Sequence, residues 1–539
     1  MMESHDHDRP ISRRQLLKGS LALGAAVAVP GVLAACGGDE GSSDSSPAPT
    51  GATSTVAEGV PQSGGSLRVF NSIPSADSFD PQNFVASGDK IRAFNVCERL
   101  AMVNPDGTIK LHLAETVEPV SEDATAWRVT LRSGITHSNG KPLTTADVLW
   151  TFQRIAKPGA PYEATFVPFV DLDRTKAVDD LTIEFALKRP VGDFNRFLAN
   201  EPFGILPDGS DTFEKPEDLI GTGPFKVIEW APGERYRMVR NETYWEDGKP
   251  YLDEIEILNV NPDIDQAGAL LAGQVDGTSG LEEAETRQLE NDPSVVLTVT
   301  PAVRNPTWYM RLDSDAFQDV RVRQAFRLAI DRQQCLDVQF GGRGEIGNDL
   351  HGSLFPSFNG DLPQREYDPE QARSLLRQAG REGMEIELVT AAYADAATAY
   401  AEQAKAAGLN IRVNRVPVED IYNTDLYYLK VPFGETNWTP AFEEMAPQGL
   451  LADAFYNETA WKRPAWDERF LEGYGTIDDE ARYGIYKELQ EELWQEGGWT
   501  VWSYAEVATA AATYVHGVIP WGTVSWWNGL RFEDIWRDA

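Results

Sequence analysis

"GTGPFKVIEWAPGERYRMVRNETYWEDGKPYLDEIEI", residues 221–257, holds strand, turn and strand in an order that sets the class of the fold. Gly221-Thr222-Gly223-Pro224 makes a tight bend into FKVIEW (225–230), whose β-branched and aromatic residues alternate as a strand requires. Tyr244, Trp245 and Tyr251 gather around a second turn, where packing is their expected role, and EIEILNV (254–260) resumes as a strand. The same alternation marks SLRVF (66–70), WRVTL (127–131), LTIEFAL (181–187), MEIELV (384–389) and LNIRVNR (409–415). Helices lie between these strands. Thr144 with Asp147 three residues on forms a variant capping box ahead of Val148, Leu149, Phe152 and Ile155. Asp368-Pro369 opens a helix that Gly380 stops. Residues 319–340 start on Asp319 and set Val322, Ala325, Phe326, Ala329 and Leu336 near one face, which predicts a single helix. Asn139-Gly140 predicts a hairpin turn before the Thr144 helix. The class is α/β or mixed α+β, with several sheets and no short internal repeat.

The other informative stretch is "SRRQLLKGSLALGAAVAVPGVLAACGG", residues 12–38. Its apolar part, residues 19–35, is shorter than the ~20 residues a bilayer core demands and contains Gly24, Pro30 and Gly31, so it does not read as a spanning helix. Arg13-Arg14 followed by Gln15-Leu16-Leu17-Lys18 resembles the twin-arginine export signal, and Leu33-Ala34-Ala35-Cys36 looks like a bacterial lipobox. The resemblance implies cleavage before Cys36, whose thiol takes a diacylglycerol and holds the chain on the membrane. Residues 37–65 are rich in Gly, Ser, Thr, Pro and Ala and have no aromatic residue, which makes a flexible tether with a reach of about 30 Å.

Cleavage removes three acids and four bases, taking the net charge from −36 to −37. So acidic a chain is repelled by phosphate backbones, which argues against a nucleic-acid partner. About 500 residues remain, too many for one core, so two or three domains are expected. Beyond Cys36 only Cys97 and Cys335 remain, both in apolar stretches that read as helical. They are expected to be buried free thiols.

Six segments occur in a familiar order: 98–119, 127–155, 221–257, AGQVDG (272–277), DVRVRQAFRLAIDR (319–332) and YDPEQARSLLRQAG (367–380). Together they resemble the extracytoplasmic solute-binding proteins of ABC importers, in the family of oligopeptide, dipeptide and nickel receptors. The resemblance implies an α/β fold of the periplasmic-binding-protein type II (class C), with two lobes that close around a solute by a hinge and an extra inserted domain. Carried onto this chain, it gives a signal at 1–35, a lipidated tether at 36–60, lobe I at 61–104, 206–300 and 500–539, the extra domain at 105–205 and lobe II at 301–499. The lobe crossings then fall near 301–313 and 499–507. The implied partners are a small peptide-like or amine-bearing solute, the ABC permease and ATPase subunits, and the membrane through the lipid on Cys36. The receptor is expected to act as a monomer without a cofactor.

In peptide-binding relatives a tryptophan in lobe II precedes by three residues an aspartate that pairs with the ligand's α-amine. Trp438 matches the tryptophan, but Ala441 stands where the aspartate would be. Glu443 or Glu444 is available instead, or both are solvated loop acids. The candidate ligand residues are Phe84 and Val85 from the early loop, Trp308, Tyr309 and Met310 from the first crossing, and Asn437, Trp438 and Glu443 from lobe II. Rival functions have thinner support. Gly342, Gly344 and Gly347 have dinucleotide-loop spacing without the strand, turn and helix it needs, and no phosphate-cradling G-x-x-x-x-G-K-[ST] motif occurs. His112, His137, His351 and His516 are too scattered for a zinc site, which leaves a nickel or metal-chelate receptor and a surface sensor or adhesin as alternatives. An enzyme is disfavoured.

Overall fold

The computed structural model describes residues 59–72, 78–83, 87–260, 264–522 and 527–539; Arg13, Arg14, Cys36, Phe84 and Val85 lie outside them. Three sheets organise the chain. The largest runs in the order Val295–Arg304, Ser503–Ala512, Gly277–Ser279, Ser66–Ser72, Glu254–Val260, Arg235–Arg240, Phe225–Ala231, with Gly344–Ile346 also paired to Ser503–Ala512. Strands from both ends of the sequence thus share one sheet. Ser66–Ser72 runs parallel to Glu254–Val260, in register from Ser66 opposite Glu254 to Ser72 opposite Val260.

A second sheet, in the order Asn410–Arg415, Glu385–Thr390, Phe433–Asn437, Pro306–Met310, Trp499–Val501, forms the centre of the other lobe. It has a core on each face. One gathers Trp308, Met310, Phe326, Leu336, Tyr400 and Trp502, and the other gathers Tyr309, Phe442, Trp461, Trp466, Tyr486 and Trp499. The third sheet is an antiparallel layer of Ala114–Pro119, Ala126–Leu131, Thr182–Leu187 and Val170–Ala177, packed on the helix Thr145–Ile155 around Phe152, Phe166 and Phe185.

All the strands expected from alternation form, and Thr144 and Asp147 make the capping box. The expected single helix over 319–340 is instead two, Val320–Leu328 and Arg332–Phe340, because the Asp331 carboxylate accepts from the Gln334 amide at 3.0 Å and starts a new helix. The glycines of 221–224 act through close approach: a Cβ on Gly221 or Gly223 would collide with the carbonyls of Val96 and Asn95 at the end of the helix Ser87–Val96. Gly344 and Gly347 sit equally tightly against the backbones of Tyr504 and Val501, a strand-pairing role. Cys97 and Cys335 are buried free thiols, and burial pushes Cys335 up to about 12. Among the described residues no helix is long and apolar enough to cross a membrane.

The buried Glu98 joins distant parts of this frame. Its carboxylate accepts from Tyr244 Oη at 2.9 Å, Trp245 Nε1 at 2.8 Å and Thr222 Oγ1 at 2.9 Å, and it meets His112 Nε2 at 2.6 Å and Arg531 Nη2 at 3.2 Å. Tyr244 and Trp245 therefore serve a buried acid as well as packing.

Candidate functional site

The two lobes are joined by adjacent antiparallel crossings. Val295–Arg304 of the large sheet passes through Asn305 into Pro306–Met310 of the second sheet, and Trp499–Val501 returns through Trp502 into Ser503–Ala512. Arg304 is paired with Ala505, and Thr307 with Val501. The register of the first crossing shifts between Thr300 and Arg304, and Ala302 there adopts φ 50°, a left-handed conformation costly for a residue with a Cβ. Such a bulge bends its strand and re-aims the side chains that follow. Asn305 fixes the exit: its amide donates to Asn437 Oδ1 at 2.7 Å, and its own Oδ1 accepts from the Gly352 amide at 3.2 Å.

Beside this junction stands Trp438, half-buried at the end of Phe433–Asn437. Its orientation is set by Glu458, which accepts from Trp438 Nε1 and Trp499 Nε1 and from the hydroxyls of Tyr428 and Thr436, at 2.8–2.9 Å. Burial raises the Glu458 carboxyl above its ordinary range, while the hydrogen bonds from Trp438 and Trp499 pull it down. Tyr456 lies edge-on to Trp438 with centroids 6.2 Å apart, and the neighbouring Phe455 is exposed. The result is a rigid indole edged by accessible aromatic surface, a form suited to stacking on a planar or amide-bearing ligand.

The other candidates fall in different surroundings. Trp308, Tyr309 and Met310 are fully buried; strand alternation sends Trp308 and Met310 into one core and Tyr309 into the other, so the three do not converge. Asn437 is tied to the crossing through Asn305. Glu443 is buried and pairs with Arg196 Nε at 3.0 Å, and Glu444 meets Arg196 Nη1 at 3.2 Å. These acids therefore hold Phe194–Leu198, a helix beside the third sheet, against the second lobe. Ala441, at the position of the relatives' aspartate, is buried as the N-cap of Phe442–Gly449. Glu435, also buried, accepts from the amides of Ala391, Ala392 and Tyr393 at 2.9–3.0 Å and so fixes the turn that leads into the helix Ala394–Ala404. Among the described residues no group of three or more His, Cys, Asp or Glu is arranged to hold a metal. A cavity of about 270 Å³ lies apart from the junction, between Asp80 and Gln82, the end of Thr145–Ile155 and Tyr162.

Residues 108–454 match the bacterial extracellular solute-binding proteins, family 5, middle region. The chain belongs to this family. Residues 10–30 match the twin-arginine translocation signal, so this family 5 protein is exported from the cytoplasm. A glutathione-binding protein of Pectobacterium atrosepticum is 24% identical over 406 residues, 70% of this chain and 77% of that protein. The periplasmic oligopeptide-binding protein of Salmonella typhimurium is 23% identical over 481 residues, 79% of this chain and 84% of that one. Among solved structures, the periplasmic binding protein of Helicobacter pylori in complex with the peptide STSA superposes with a TM-score of 0.73 at 20% identity, covering 89% of this chain and 99% of that one. The fold is that of the two-lobed type II binding proteins, and these relatives are receptors rather than enzymes.

Glu458, Glu435, Asn305 and Arg304 escape sequence reading. Each acts through residues far along the chain, and nothing in its local pattern separates it from a surface residue. For Glu458 the available signal is an acid standing among Phe455, Tyr456 and Trp461.

Proposed function

We propose that this family 5 protein is the lipid-anchored receptor of an ABC importer and that it captures a peptide-like solute between its two lobes. The reading rests above all on the paired crossings at Asn305 and Trp502, a hinge with a strained residue at Ala302 and an oriented indole, Trp438, beside it. A solute touching both lobes favours the closed form, because only that form makes the second lobe's contacts. The peptide class is drawn from the receptors it resembles. Glu443 is engaged with Arg196, so the reading does not require an amine-specific anchor at that position. We assign lobe I to 61–104, 206–300 and 500–539, the extra domain to 105–205 and lobe II to 301–499. We assign Asn437 and Trp438 to the mouth of the site, with Trp308, Tyr309 and Met310 as its packed support, and keep Phe84 and Val85 as ligand candidates on the strength of the resemblance alone. The lipid on Cys36 keeps the receptor near its permease at high local concentration.

The test is a thermal-shift panel of di-, tri- and oligopeptides, glutathione, amines, opine-like compounds, glycosides and nickel chelates. A ligand at 100 times its Kd adds about 2.7 kcal/mol, which reads as a rise in Tm. Stabilisation by peptides alone supports the proposal. A shift confined to a nickel chelate, or to a class without peptide bonds, overturns it.

A further inference from the structure

Among the described residues each buried arginine donates at least one side-chain hydrogen bond, with the exception of Arg304 at the hinge. Arg327 donates to the carbonyls of Trp499 and Trp494 at 2.9 Å each, Arg332 to Asp349 at 2.6 Å, and Arg531 to Glu533 at 2.6 Å. Arg304 is 1% exposed, yet neither its Nε nor its Nη1 has a hydrogen-bond partner. Leaving a buried guanidinium without an acceptor is costly, and native structures seldom do it without a reason.

The surroundings of Arg304 bring further unpaired donors, and no acceptor within hydrogen-bond reach of its Nε or Nη1. Its charge is felt by Tyr393, at the start of Ala394–Ala404 in the second lobe, and by Glu282, which caps Glu283–Leu289 in the first. Tyr393 in turn lies edge-on to Trp502 and Trp308, with centroids 5.8 and 6.3 Å away. Both indoles are fully buried, stacked on each other at 5.7 Å, and neither Nε1 has an acceptor. Four unsatisfied N–H nitrogens thus surround one junction between the lobes. Two acids are felt there among the described residues: Glu282, which burial pushes up to about 7 against the pull of Arg304, so that near neutrality it carries only part of its charge, and Glu435, felt by Tyr393, whose carboxylate is already taken up by the amides of Ala391, Ala392 and Tyr393. The bulge at Ala302, two residues before, is the feature that turns Arg304 into this space.

We propose that Arg304 is the anchor for a carboxylate of the bound solute, in a donor-rich subsite at the hinge walled by Trp308, Tyr393 and Trp502. Guanidinium and carboxylate match as a bidentate pair, and a low-dielectric site strengthens it. Because Arg304 lies on the crossing itself, with one lobe on either side, the carboxylate bridges both lobes and holds them closed. The inference deepens the peptide-receptor reading and rests on it. A terminal carboxylate and an acidic side chain offer the same group, and the experiment separates them.

Binding is measured by calorimetry for wild type, Arg304→Met and Arg304→Lys. The probes are short peptides as free acids, the same peptides as C-terminal amides, amides carrying a glutamate side chain, and the non-peptide dicarboxylates succinate and glutarate. Free acids should bind wild type 10- to 100-fold more tightly than neutral amides. If the glutamate-bearing amides match the acids, the side chain supplies the group, and the subsite stands. Arg304→Met should erase the acid preference while the unliganded protein melts no lower than wild type, because an unpaired buried charge has been removed. Arg304→Lys should keep part of the preference. Equal binding of acids and neutral amides to wild type overturns the subsite. So does a preference that survives in Arg304→Met, or a fall of several degrees in that variant's unliganded Tm. Arg304-dependent binding of dicarboxylates without any peptide binding leaves the subsite standing and removes the peptide reading. Absence of binding by every probe removes both.

Discussion

The indole nitrogens of Trp438 and Trp499 donate to the same oxygen of Glu458, at 2.9 and 2.8 Å. One of these indoles stands beside the hinge and the other lies on the returning crossing, so a single buried carboxylate sets the geometry of both. Glu458→Leu strips four donors of their acceptor and should cost about 3–5 kcal/mol in chemical denaturation. Glu458→Gln keeps one amide oxygen for the indoles and should lose less. A near-neutral Glu458→Leu would show that the hub does not hold the second lobe together.

Acid should weaken the first lobe through Glu98. Burial alone would raise this carboxyl, but His112 and Arg531 beside it and the Trp245 hydrogen bond bring it down to about 2. A folded value below the unfolded one, about 4.3–4.5, gives stability that is complete above that value and lost as pH falls toward 2. The shift corresponds to about 3 kcal/mol. Urea midpoints for wild type and Glu98→Gln should differ at pH 7 and converge at pH 2–3; a constant gap across that range would refute the linkage.

His351 works in the same direction at higher pH. Burial lowers it from 6.5 to about 3, and its Nε2 lies 2.9 Å from Thr307 Oγ1 on the first crossing. Between those values the unfolded chain binds a proton that the folded one refuses, so stability falls with pH by up to about 1.4 kcal/mol per unit. His351→Gln should flatten the slope between pH 6 and 4. An unchanged slope would place the acid sensitivity elsewhere.

Export and anchoring make separate predictions. Arg13→Lys with Arg14→Lys should leave the precursor in the cytoplasm, uncleaved. Cys36→Ser should instead release exported protein from membranes into the soluble fraction, detected by fractionation and by loss of metabolic labelling with a fatty acid. A Cys36→Ser protein that still sediments with membranes would rule out the lipid tether.

Much of the scaffold is legible locally, because strand alternation, the Thr144–Asp147 box and the Asp368 cap depend on residues a few positions apart. The split at Asp331 was equally local, yet the continuous apolar face from Val322 to Leu336 masks a second cap. The site is harder to read. Arg304 and Tyr393 are 89 positions apart in sequence, and Glu443 and Arg196 are 247 apart, so their chemistry appears only when the sheets bring them together. Trp308, Tyr309 and Met310 could be placed at a crossing from sequence, but Tyr309 is buried by helices that arrive more than a hundred residues later, and Trp308 and Met310 by helices between 320 and 404 together with Trp502 of the returning crossing.

Arg196 offers a test of how the third sheet's domain is held to the second lobe. It is buried with Glu443 and Glu444 at 3.0 and 3.2 Å and Asp193 at 3.5 Å, and its Nη2 donates to the Gly107 carbonyl at 2.8 Å. Burial lowers its proton affinity, but Glu443, Glu444 and Asp193 more than reverse this, so it stays charged. Arg196→Met leaves Glu443 and Glu444 without their cation, with only Arg482, 3.5 Å from Asp193, still nearby, which should cost about 3–5 kcal/mol at pH 7. Burial already holds Glu444 above its ordinary value, so protonation relieves the repulsion, and the penalty should shrink as pH falls to 4.5. A penalty under 1 kcal/mol at pH 7, or one that does not change with pH, would mean that the ring contact between Phe169 and Tyr474 holds this boundary rather than the ion pairs.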